Sequence, residues 1–247
     1  MIPLKSQNEL QMLRRSGRIL SLVMRKVARI VKPGITTADI DSLSEELILK
    51  QKARPAFKGY KGFPATACVS VNEEIVHGIP GPRVLLEGDI VSIDLGVNYQ
   101  GYFSDAAFTL AVGRIEGTKQ KLIAAAKQAL DIGISRARPG NNLGDISCGI
   151  QDFVEGRGFS VVRQFVGHGI GRDLHEEPEV PNFGHAHSGA LLKSGMVLAI
   201  EPMINLGTWE CRITGNGWTA VTCDGASSAH FEHTVAITDK GPEVLTR

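Results

Sequence analysis

Hydrophobic positions recur at helical spacing near the start of the chain, at Leu10, Leu13, Gly17, Leu20, Met24, Val27 and Val31. Ser6-Gln7-Asn8-Glu9 supplies a capping box for this helix, and Pro33-Gly34 stops it. A second helix, capped by Thr36 or Thr37, presents Ile40, Leu43, Leu47 and Ile48 on its inner face and runs out near Ala53-Arg54-Pro55. Residues 57–64, rich in Gly and aromatics, read as an exposed loop. The pattern then becomes that of strands. A strand over 67–71 leads to the turn Val76-His77-Gly78-Ile79-Pro80, and a hairpin follows whose second strand continues to about Val112. A third helix begins at Thr118 and carries Leu122, Ile123, Ala126, Leu130 and Ile134 up to the stop Arg138-Pro139-Gly140; a fourth spans about Leu143 to Glu155. Extended chain from Val161-Val162 leads into Gly167-His168-Gly169-Ile170-Gly171, and strand-like stretches lie at 196–202, 218–221 and 230–237.

The pattern repeats. Lys32-Pro33-Gly34…Asp39-Ile40 returns as Arg138-Pro139-Gly140…Asp145-Ile146, and Gly88…Ile93-Asp94 returns as Gly195…Ile200-Glu201 at nearly the same offset. Each half reads helix, Pro-Gly, helix, strand, His-Gly turn, acidic hairpin. The chain is therefore expected to be one domain, 1–247, built of halves of about 1–113 and 114–247.

The hairpin centred on Asn98-Tyr99-Gln100-Gly101 is where chemistry concentrates. A loop symmetric about Tyr99–Gln100 sets Asp94 directly opposite Asp105; a slipped register leaves one of them in solvent. Opposed carboxylates on otherwise apolar strands repel, and burial sharpens the repulsion unless a cation lies between them. The repeat brings Glu201 to Asp94 and suggests Glu232 as the counterpart of Asp105. His168, flanked by glycines, adds an imidazole. Four carboxylates and one histidine suit two divalent ions with shared carboxylates better than a structural zinc site. Such ions activate water, so the expected chemistry is metal-assisted hydrolysis of an amide. No G-x-S-x-G nucleophile motif competes with this.

Composition narrows the class. The chain has 247 residues and a formal net charge of +1, which argues against a dedicated nucleic-acid binder or a membrane-surface protein. The N-terminus lacks a signal-peptide pattern, and no apolar stretch is long enough to span a bilayer. Cys68, Cys148, Cys211 and Cys223 form no C-x-x-C pair and read as free thiols of a reducing cytoplasm.

Taken together, Asn72-Glu73-Glu74…His77-Gly78-Ile79-Pro80, Asp94-Leu95-Gly96…Asp105, Gly167-His168-Gly169-Ile170-Gly171-Arg172…His175-Glu176-Glu177-Pro178, Glu201-Pro202-Met203 and Phe231-Glu232-His233-Thr234 resemble the bacterial type I methionine aminopeptidases over essentially the whole chain. The resemblance implies an α/β (α+β) pita-bread fold, with pseudo-two-fold halves around antiparallel sheet. It implies removal of the initiator methionine from nascent polypeptides, with a small second residue preferred, by attack of a metal-bridging hydroxide. Asp94, Asp105, His168, Glu201 and Glu232 match the ligands of two divalent ions (Co, Mn, Fe or Zn), with Asp105 and Glu232 bridging. His77 and His175 match substrate-facing histidines, and Glu201 also matches the proton relay. Tyr60, Phe63, Cys68, Leu174, Trp218 and Phe57 match the methionine pocket, where Leu174 replaces a Phe of well-known members. His230, two residues before Glu232 and expected on the same strand face, stands where some members have Gln and reads as a hydrogen-bonding neighbour of the metal carboxylates. His185-Ala186-His187 reads as a loop pair without acidic partners. The long N-terminal extensions of eukaryotic relatives are not visible, so ribosome contact would use the catalytic surface, and a cytoplasmic monomer is expected. The rivals are an Xaa-Pro peptidase of the same fold, disfavoured by length, a binding protein that has lost its metals, disfavoured because all five ligands are present, and a structural α/β domain, disfavoured by the cost of four uncompensated buried carboxylates.

Overall fold

The computed structural model describes residues 2–247. Four helices, α1 (Gln7–Ala28), α2 (Thr37–Lys50), α3 (Gly117–Arg136) and α4 (Leu143–Glu155), cover antiparallel sheet. Three of them start at capping boxes, Ser6/Glu9, Thr36/Asp39 and Asn142/Asp145, each satisfying backbone N–H groups that a helix start leaves unpaired. The repeated Asp of the sequence is thus a helix-start residue in both copies. The repeated glycines match as well: Gly34 and Gly140 take φ of +94° and +91°, and Gly88 and Gly195 take +95° and +94°. These left-handed conformations suit glycine because a Cβ would crowd the backbone.

Strand Ile90–Tyr99 is the centre of the first sheet. It pairs with Arg54–Pro55 and Ala67–Val71, and its hairpin partner Tyr102–Ala111 lies against it. The second sheet runs Gly241–Val244, His233–Thr238, Val197–Ile200, Gly167–Gly169, Glu176–Val180. Helices α1 and α2 bury Leu20, Val23, Val27, Ile40 and Ile48 against Val91, Ile93 and Leu95 of the first sheet. Helices α3 and α4 bury Leu122, Leu130, Ile146 and Ile150 against Leu198, Ile200 and Val235 of the second. Each such side chain contributes roughly 1.5–3 kcal/mol. In α1, Gly17 lets the chain pass close by: a Cβ there would overlap the carbonyl oxygen of Leu245.

The two sheets are hydrogen-bonded to one another along a short seam. Glu232 N donates to Ala107 O (2.9 Å) and Ala107 N to Glu232 O (3.3 Å). The Thr234 hydroxyl accepts from Asp105 N (2.9 Å) and donates to Asp105 O (2.8 Å). Asp105 and Glu232 therefore stand side by side although they are far apart in sequence.

The hairpin register differs from the symmetric expectation. Tyr99 pairs with Tyr102, so the turn is Gln100-Gly101, and Asp94 pairs with Ala107 while Asp105 pairs with Gly96. Gln100 and Gly101 both have positive φ (52° and 83°), as a two-residue hairpin turn requires. Moving one partner by two residues keeps side chains on the same face, so Asp94 and Asp105 are diagonal neighbours rather than opposed ones. The loop at 57–64 is not exposed throughout. Phe57 and Phe63 are buried, folded inward by a short turn at Tyr60–Gly62. The stretch 230–237 is not one strand either: Ser228–His230 and His233–Thr238 belong to different sheets, and the break falls at Phe231–Glu232.

Candidate metal centre and its pocket

The seam supplies Asp105 and Glu232, the neighbouring strand Ile90–Tyr99 supplies Asp94, and Gly167–Gly169 supplies His168. Glu201 follows directly on the buried strand Val197–Ile200, and Asn182 donates to its carbonyl (3.0 Å). Ligand atoms of Asp105, His168 and Glu232 all lie within 4.8 Å of one another. His168 Nε2 stands 3.6 Å from a Glu201 oxygen and 4.0 Å from one of Asp105. Its Nδ1 is 2.9 Å from Gly169 O, a partner that can only accept, so Nδ1 carries the hydrogen and Nε2 presents a lone pair. Burial holds this ring neutral, with its pKa down at about 4.

The carboxylates are out of balance without a cation. Buried Oδ1 of Asp94, Oδ1 of Asp105 and Oε1 of Glu232 have no hydrogen-bond partner. Burial pushes Asp94 up to about 7. Asp105 is raised well above the usual carboxylate range by burial, then by the charges of Glu232 and Asp94. Glu201 and Glu232 are raised in the same way, by burial first and neighbouring carboxylates second. Unpaired buried oxygens converging with a neutral imidazole are the donor set that hard and borderline divalent ions take, so the residues present fit the ions that the sequence resemblance implies.

A cavity of about 300 Å³ opens on the same carboxylates. Phe57, Phe63, Cys68, Leu174 and Trp218 form its apolar wall, with Phe63 and Trp218 meeting edge to face at 5.2 Å. Gly96 makes room for that wall: a Cβ there would lie 2.6 Å from Phe57 Cε1 and 2.7 Å from Ala56 Cβ. The Cys68 thiol is pushed up by burial and then by Asp94, so it stays protonated and apolar. His77 and His175 line the cavity as well. His175 stacks on Tyr60 (5.1 Å), lies 4.1 Å from the His168 ring, and its Nδ1 is 2.9 Å from Tyr60 OH. Burial, then His168, Lys61 and His77, holds His175 at about 3. His77 has φ of +59° and is lowered by burial alone.

Every residue matched from the sequence to the ligand set, the histidine pair and the methionine pocket lines this cavity. Lys61, which the sequence reading passed over, lines it too; its position between Tyr60 and Phe63 in one turn was the available signal. His230 ends the strand Ser228–His230, which stops before Glu232, and it stands beside a carboxylate of the site. Its buried Nε2 points to Glu201, 3.7 Å away, and burial holds the ring at about 3. His187 does have an acidic neighbour, Asp145 at 3.5 Å, but that carboxylate belongs to the cap of α4.

The model of metallopeptidase family M24 matches residues 11–239. The chain belongs to that family. Within M24 it is 50% identical over 247 residues to methionine aminopeptidase 1 of Bacillus subtilis, covering both chains in full. It is 52% identical to a methionine aminopeptidase of Clostridium perfringens, over all of this chain and 99% of the relative. The crystal structure of methionine aminopeptidase from Thermotoga maritima superposes with a TM-score of 0.99 at 45% identity, with full coverage of both. Prolidase from Pyrococcus furiosus has the same pita-bread fold, with a TM-score of 0.80, but is 21% identical, and the match spans 65% of it. An M24 metallopeptidase is a hydrolase that uses metal, which the donor set described above accommodates. No helix among the described residues is long and apolar enough to cross a membrane.

Proposed function

We propose that the chain is a methionine aminopeptidase that hydrolyses the first peptide bond of polypeptides beginning with methionine and prefers a small second residue. The observation that carries this reading is the joining of two features in one cavity. Four carboxylates, three of them with an unpartnered buried oxygen, and a neutral imidazole meet an apolar wall with a soft thiol, which suits a thioether side chain.

In this reading Asp94, Asp105, His168, Glu201 and Glu232 are the residues that would hold two divalent ions, Co, Mn, Fe or Zn. When bound, such ions polarise a carbonyl and lower the pKa of water at the site. The chain's own residues do the rest. Glu201 takes the proton from the attacking water and passes it to the leaving amine. His175, neutral and held by Tyr60 at Nδ1, has Nε2 free to donate to the oxygen that gains charge at the tetrahedral stage. His77 contacts the peptide beyond the scissile bond. Phe57, Tyr60, Phe63, Cys68, Leu174 and Trp218 exclude water from the methionine side chain. The five ligands come from both sheets, which supports treating 1–247 as one catalytic domain with halves of about 1–113 and 114–247. We further infer a cytoplasmic, monomeric enzyme that meets nascent chains as they leave the ribosome.

The test is peptide hydrolysis by chelator-stripped protein before and after adding Mn²⁺ or Co²⁺, on Met-Ala-Ser, Met-Lys-Ser, Leu-Ala-Ser and Ala-Pro-Ser. Metal-restored release of methionine from Met-Ala-Ser alone is expected. Cleavage of Ala-Pro-Ser in its place moves the chain to the Xaa-Pro branch, and silence with every metal in folded protein ends the enzyme reading.

A further inference from the structure

Lys5 lies ahead of the first helix, far in sequence from every residue of the site, yet it is 8% exposed. Its backbone N–H donates to Gly195 O (2.7 Å), which fixes it beside the strand leading to Glu201. Its side chain runs inward and forms an ion pair with Glu176, the side chains being 4% and 9% exposed. The other Glu176 oxygen accepts from the backbone N–H of Arg172 (2.7 Å) and of Asp173 (3.3 Å). The loop between Ile170 and Glu176 is therefore wrapped around one carboxylate, and that carboxylate is balanced by one cation from the opposite end of the chain. Gly171 admits this arrangement, since a Cβ there would overlap Lys5 Cε and Glu176 Oε1. Two further bonds anchor the near end of the loop: Ile170 N donates to Val197 O, and Phe103 N donates to Gly171 O (2.8 Å). The far end carries Leu174 and His175 and runs into the strand Glu176–Val180, paired with Gly167–Gly169; the Glu176 carboxylate is the side-chain tether that closes the loop there.

We propose that Lys5 is a positioning residue for catalysis: through Glu176 it clamps the loop that holds His175 against Tyr60 and Leu174 in the methionine pocket. This rests on the role given to His175 above. A buried carboxylate stripped of its cation draws water or swings outward, and the loop wrapped on it follows. Misplacing a catalytic group by about 1 Å costs on the order of a hundredfold in rate.

Lys5→Met keeps the stem and removes the charge. The expected result is a kcat for Met-Ala-Ser lowered by about tenfold to a hundredfold, with KM and metal affinity little changed. Amide exchange at 170–176 should be faster while exchange in α3 stays as in the wild type. Lys5→Arg should regain much of the rate. Glu176→Gln should lose rate as well, and Lys5→Met combined with Glu176→Gln should be no worse than either alone, because no unpaired charge remains. Wild-type kcat in Lys5→Met, losses that multiply in the double variant, or a loss explained by weaker metal binding would overturn the clamp. If the wild type itself releases no methionine, the reading of the site fails separately, and unchanged exchange at 170–176 in Lys5→Met then overturns the clamp on its own.

Discussion

Replacing Asp94 by Asn should stabilise the metal-free protein at alkaline pH and weaken it once metal is bound. Asp94 keeps its proton in the fold up to about pH 7, against an ordinary value of 3.8. The folded chain therefore binds more protons than the unfolded one between those values, and its stability falls as pH rises across that window. Each unit of pKa is about 1.36 kcal/mol, so the burden reaches about 4 kcal/mol above pH 7. Asn has the same shape, carries no charge, and can donate to the Asp105 carboxylate. With water entry reducing the gain, roughly 2–4 kcal/mol should remain at pH 8, a rise in melting temperature of roughly 5–15 °C for a chain of this size. At pH 4 the two proteins should melt together. The assay is denaturation of chelator-treated protein at pH 4, 6 and 8, with and without saturating Mn²⁺. Metal should reverse the order at pH 8, because binding to the folded state stabilises the wild type through a donor that Asn lacks. An Asp94→Asn variant that melts lower than wild type at pH 8 without metal, or a difference that does not change with pH, would refute the reasoning.

Other outcomes follow from packing. Gly96→Ala drives a methyl into the Phe57 ring and Ala56; it should destabilise by about 1–3 kcal/mol in urea titrations and raise KM for Met-Ala-Ser more than it lowers kcat. Leu174, 2% exposed, should cost about 2–5 kcal/mol when cut to Ala, with peptide kinetics showing poorer discrimination of Met from Leu at the first position. Gly17→Ala sets a Cβ on the Leu245 carbonyl; it should lower the melting temperature and speed amide exchange at 241–245 while leaving KM unchanged.

Much of this architecture could be read from spacing alone. Helix starts were legible at Ser6, at Thr36 or Thr37 and at about Leu143 because caps and helical periodicity are local properties; the Asn142 cap came only with the structure. The acidic pair was legible despite the wrong hairpin register, since a two-residue slip preserves the face on which Asp94 and Asp105 lie. What stayed hidden depends on contacts between distant segments. The inward fold of Phe57 uses the space beside Gly96, and a Gly-rich aromatic stretch looks the same whether or not such a space exists. His230 looked like a strand neighbour of Glu232 because nothing local signals that the chain changes sheets at Phe231. The pairing of Lys5 with Glu176 has no periodicity at all; it appears only once the first residues are seen lying beside Gly195.

The bonds joining Asp105 and Ala107 to Glu232 and Thr234 bear on how the chain could be cut. The connector between Ala111 and Gly117 crosses the surface with Gly113 and Arg114 exposed, and nicking it severs none of those bonds. Two separately synthesised fragments meeting at the seam would rebuild the same ring of donors, and a divalent ion would then act as a rivet between them. Loss of the ion would be the event that lets the pieces part, so ion retention after nicking measures the strength of the joint itself.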